Sequence, residues 1–194
     1  MKITYENKVA TRTSSLPARN TVRDVDLNEI KEKHNSYLNS LGWVDYRDTL
    51  DTESNRQNLT AGSDQKITIN AGTSVLSYAP TDGEGLWDSV NNKIQPINLG
   101  DAYIIRVDFK ATISSNDGYF EFALIVGGTI GKAFGEMKVF PKGLNVIHNF
   151  SIDFPVYALD TFLPNGGEIV INPSHTMTLF DKRIIIIKVV HGIL

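Results

Sequence analysis

Leu27, Ile30, His34, Tyr37 and Leu41 recur at spacings of three, four, three and four, the period of one helical face. The pattern predicts a helix over residues 24–41. Asp26 and Glu29 have the spacing of a capping box, and Asp24 and Glu29 suit the positive end of a helix dipole. Gly42 is a natural left-handed stop after Leu41. With Leu27 at heptad position a, the seam runs a-d-a-d-a. Leu at a with Ile at d leans toward three or four strands rather than two. Asp26 and Lys31 then take g and e positions, the spacing of an inter-chain ion pair in a parallel bundle. Helices below about 12–15 residues are marginal in water, so a two-heptad seam needs a partner. That partner is either further copies of the seam or the β region that follows.

From residue 43 the apolar period shortens to two. Tyr103, Ile105, Val107 and Phe109 alternate with Arg106, Asp108 and Lys110, as do Val146, His148, Phe150, Ile152 and Phe154 with Asn149, Ser151 and Asp153. Such alternation marks half-buried antiparallel strands. Strands are predicted at 66–70, 93–97, 103–113, 119–126, 134–140, 146–156, 168–172, 176–180 and 183–190. Turns fall at Asp82-Gly83, Asn116-Asp117-Gly118, Gly127-Gly128, Pro141-Lys142-Gly143 and Pro164-Asn165-Gly166-Gly167. Eight to ten strands without intervening helices imply a mainly β fold, an antiparallel sandwich closed as a jelly roll.

The run Arg183–Val190 breaks the alternation, because it is apolar on both faces. One face suits the core, and the other needs cover. Neighbouring subunits would supply it, with Ile184, Ile186 and Val190 as the interface residues. The alternative is cover by a loop, 51–64 or 78–88. Residues 1–20 are polar and basic with little periodicity, consistent with a disordered terminus or with an arm that orders on a partner. Three zones result: an arm over 1–23, a helix over 24–42 and a β domain over 43–194.

Composition narrows the function. The 194 residues carry a net charge of −3, which argues against a nucleic-acid surface. The absence of cysteine removes disulfides, thiolate metal sites and thiol catalysis. No run has signal-peptide character or reaches the ~18 apolar residues of a membrane span. His34, His148, His175 and His191 form no local metal motif, and no cofactor or metal is expected. His34 reads as a register residue on the seam, His148 as a core histidine and His175 as a turn residue. Gly127-Gly128-Thr129-Ile130-Gly131 follows a strand without opening a helix, so it reads as a bend rather than a phosphate loop. Asp45, Asp48, Asp51 and Glu53 cluster, and a carboxylate pair among them could serve glycoside hydrolysis or calcium binding; a pocket joining Asp45, Asp48 or Glu53 to His175 would mark a hydrolase. Solvated strand-edge charge is the simpler reading, and no enzyme is expected. Trp43, Tyr78, Trp87 and Tyr119 could stack on sugars, with Trp87 and Tyr119 the foremost ligand-contact candidates; core packing is the alternative for each.

Several segments also resemble tailed-bacteriophage virion proteins. Val25-Asp26-Leu27-Asn28-Glu29-Ile30-Lys31 is similar to the segment that starts the short coil of many phage fibre and head-fibre proteins. Leu86-Trp87-Asp88, Asn92-Lys93-Ile94, Pro96-Ile97-Asn98-Leu99-Gly100-Asp101-Ala102-Tyr103, Asn116-Asp117-Gly118-Tyr119-Phe120, Phe140-Pro141-Lys142-Gly143 and Phe162-Leu163-Pro164-Asn165-Gly166-Gly167 follow in the same order. His34 and Tyr37 depart from the Val and Asn expected on that seam. The resemblance implies a homotrimer with a short coil and a knob like that of tumour necrosis factor. It further implies a non-enzymatic head-fibre or decoration protein of the virion, assembled in the host cytoplasm. Residues 1–23 would attach it to the major capsid protein or to another shell or tail protein. The alternative is a tail-tip receptor binder that contacts host glycans. Neither reading involves membrane insertion.

Overall fold

The computed structural model describes residues 24–81 and 85–192, with side chains from residue 27 onward. The expected arm over 1–23 and the Asp82-Gly83 turn lie outside the described residues, as does the Asp26 side chain expected to cap the helix. Helix α1 (Asp24–Asn39) forms where the three-four period places it. It ends earlier than expected. The Ser40 amide reaches the carbonyls of Ser36 and Tyr37, and its hydroxyl donates to Tyr37 O at 2.6 Å. Gly42 is therefore not a left-handed stop. It opens the first strand, where a Cβ would meet the Tyr78 carbonyl oxygen at 2.2 Å. The amide and hydroxyl of Thr81 both donate to Asn39 O at 3.0 Å, fastening the helix end to the β domain.

Twelve strands follow: β1 (Gly42–Arg47), β2 (Gln57–Leu59), β3 (Gln65–Lys66), β4 (Thr73–Val75), β5 (Trp87–Asp88), β6 (Lys93–Ile94), β7 (Ala102–Ile113), β8 (Tyr119–Val126), β9 (Gly131–Val139), β10 (His148–Tyr157), β11 (Gly167–Pro173) and β12 (Met177–Val190). A four-residue helix, α2 (Phe162–Asn165), precedes β11 and buries Phe162. Two antiparallel sheets result. One runs β10-β7-β12-β1-β4, with β2 also on β12; the other runs β5-β6-β11-β8-β9, with β3 also on β11. The chain is mainly β, an antiparallel sandwich with jelly-roll topology. Alternating side chains of the long strands fill the space between the sheets, with Val107, Phe109, Phe120, Phe122, Phe154, Ile171 and Ile186 among the buried residues. Phe120 meets Phe109, Phe140 and Phe150 edge-on, with centroids 4.9–5.9 Å apart, a favoured arrangement for aromatic rings.

The runs 176–180 and 183–190 are one strand. β12 bulges between Phe180 and Arg183, where Asp181 adopts φ 49°. It lies between β7 and β1, so the sheet satisfies both of its backbone edges.

Candidate functional site

Register decides which isoleucines of β12 face outward. Tyr46 opposes Ile184 and Val44 opposes Ile186, and all four are buried in the core. Ile184 and Ile186 are therefore core residues, not subunit-contact residues. The outward face of β12 is Arg183, Ile185, Ile187 and Val189. Ile187 lies between Trp43 on β1 and Ile104 on β7, and Ile104 lies beside Pro155 on β10. This row remains open, with Ile104 40% and Ile187 37% exposed. Val189, Val190 and Tyr157 extend it toward the end of the sheet and are also exposed. Val190, the third residue expected at a subunit interface, is among these exposed side chains. The loop after β4 covers one end of the row, where Tyr78 stacks on Trp43 at 5.3 Å.

Further along the same face the row gives way to charge. Arg183 clasps Asp45 with two hydrogen bonds of 2.8 Å, and Arg47 reaches the same carboxylate at 3.2 Å. Asp108 lies 3.9 Å from Arg183 and accepts from Arg106 Nε at 2.8 Å. Burial pushes the Asp45 carboxyl up, but Arg183 and Arg47 outweigh it and hold it below the usual carboxylate range. Sequence reading took Asp45 for strand-edge charge. Its partner Arg183 lies 138 residues away.

The apolar row begins just after the helix in sequence, since α1 ends at Asn39 and Trp43, in β1, belongs to the row. On α1 itself, Leu27 (55%), Ile30 (63%) and Tyr37 (43%) are exposed, His34 is exposed and Leu41 is half-buried. The seam is thus not folded back on its own β domain. Among the described residues, the seam and the row beyond Trp43 are two open apolar surfaces, linked along the chain at the start of β1.

Two lysines on β12 are fully buried. Lys188 Nζ lies 2.9 Å from Asp101, which also accepts from Tyr103 Oη, Asn98 N and Gly192 N. Lys182 Nζ lies among Asp48, Asp51, Gln57 and Thr68. Neither enclosure was legible in the sequence, since each acid comes from a distant segment.

The proposed sugar-stacking residues separate. Trp87 is 5% exposed, and its indole N–H donates to Ile69 O at 3.0 Å, so it is a core residue. Tyr119 is exposed at the start of β8. His175 is exposed in the turn before β12, bonded to Ser174 Oγ at 3.0 Å. It lies seven residues before Lys182 along the chain, roughly 20 Å at strand rise, and does not join the Asp45–Glu53 carboxylates. His148 packs edge-on against Phe140 with its Nε2 buried and unpartnered. Gly127–Gly131 is the β8–β9 turn, with Gly128 and Gly131 at positive φ.

No family model matches the chain, and no curated protein matches it either. Solved structures do. The Eiger TNF of S. frugiperda aligns with TM-score 0.52 and 5% identity over 80% of this chain and 96% of that one. This likeness shows a TNF-like jelly-roll fold. The PRD1 vertex protein P5 aligns with TM-score 0.41 and 12% identity, covering 77% of this chain and 72% of that one.

Proposed function

We propose that the chain is a non-catalytic structural component of a bacteriophage particle, a homotrimeric head fibre or decoration protein. The observation that carries the trimeric part is a pair of apolar surfaces left open among the described residues, the α1 seam and the Trp43–Ile187–Ile104 row. Three copies about one axis would bury both. The ordered phage-like segments support the virion assignment, and residues 1–23 are its attachment arm. The receptor-binding alternative loses Trp87, which is buried, and retains Tyr119.

The attachment role is tested on assembled particles. Deleting residues 1–23 leaves the knob folded and abolishes its incorporation. Particles that carry the truncated chain at normal occupancy contradict the assignment.

A further inference from the structure

Of the two buried lysines of β12, Lys188 pairs with Asp101. Lys182 faces two acids, Asp48 and Asp51, and its side chain has no solvent exposure. Three acceptors take hydrogen bonds from its Nζ: Asp51 Oδ2, Gln57 Oε1 at 2.8 Å and Thr68 Oγ1 at 3.1 Å. The fourth neighbour is Asp48 Oδ2 at 3.0 Å. That oxygen is buried and accepts no directed hydrogen bond, so a lone pair is left facing the ammonium.

We infer that Lys182 and Asp51 form an intramolecular amide cross-link, with Asp48 as the proton-transferring base. The chemistry uses groups already in place. Burial pushes the Asp48 carboxyl up, but the Leu50 amide, Lys182 and the Asp51 carboxyl together hold it below the usual range. Asp48 Oδ2 takes a proton from the Lys182 ammonium. The freed Nζ lone pair attacks Cγ of the Asp51 carboxyl, forming the C–N bond. The tetrahedral centre collapses by breaking a C–O bond. Asp48 returns its proton to the departing oxygen, which leaves as water with a second proton shed by nitrogen. Lys182 and Asp51 together lose one water and Asp48 is regenerated, so charge and atoms balance without an oxidant.

Placement favours the step. A bound amine and acid react as an effectively unimolecular pair. Thr68 Oγ1 lies 3.4 Å from Asp51 Oδ2, placed to polarise the carbonyl. The Asp51 side chain is 18% exposed whereas Lys182 and Asp48 are sealed, which gives the water an exit on the Asp51 side.

Intact-mass spectrometry of the folded full chain tests this. The wild type is lighter than its sequence by one water, and fragmentation maps the loss to joined peptides that carry Lys182 and Asp51. Asp48→Asn keeps an acceptor for the Leu50 amide, retains its strand circular dichroism and keeps its full mass. A wild type of full sequence mass overturns the inference. So does a link mapped to Asp48 or to Lys188, or an Asp48→Asn chain that still loses water.

Discussion

Asp101 is sealed from solvent and still charged, because its neighbours replace water atom by atom. Burial pushes its carboxyl up, but the Gly192 amide, Lys188, the Tyr103 hydroxyl and the Asn98 amide hold it below the usual carboxylate range. Removing one partner of a buried pair leaves the other charge uncompensated, so Asp101→Asn should destabilise the fold by about 3–5 kcal/mol. The pH dependence has a definite sign. A depressed folded pKa gives stability that is complete above the unfolded value near ~4 and is lost as pH falls through the folded value. Urea unfolding from neutral to acid pH should show wild-type stability falling through that window, with a shallower fall in Asp101→Asn. Equal slopes would contradict the role assigned to Asp101. Sequence alone hid these residues for a physical reason. A lysine or aspartate in a strand reads as solvated until the chain brings its partner, and the Lys182–Asp51 pair spans 131 residues.

At the scale of elements, β12 and α1 present the same problem, an apolar face left largely open among the described residues. Periodicity located both, and it placed β8 at its observed bounds. It could not say which face of Ile184–Ile187 points inward. Four successive isoleucines look alike from either side, and a one-residue slip exchanges the faces. Only pairing with Val44 and Tyr46 on β1 settles it. The short strands β2, β4 and β5 escaped notice because two or three residues carry no period. The face chosen by register makes a sharp prediction. Ile187→Asp places a charge in the exposed row without touching the core, so the knob should stay folded while the oligomer dissociates. α1 should lose helicity with it, because its seam would then stand alone. Size-exclusion chromatography with circular dichroism reads both effects. Unchanged assembly in Ile187→Asp would remove the row from the interface.

At the scale of the whole molecule, the parts divide the labour. The sandwich is self-sufficient, with a continuous aromatic and aliphatic core. The outer face of the β10-β7-β12-β1-β4 sheet combines an apolar row with a charged chain from Arg47 to Arg106, so it can attract a second copy and also fix its angle. In the proposed trimer, a knob assembled through this face would hold three α1 helices at high effective concentration, which is what a two-heptad seam lacks. The coil would then set register rather than drive assembly. Native mass spectrometry of the full chain at micromolar concentration tests this directly. A mass of three chains is expected, and a single-chain mass would contradict it.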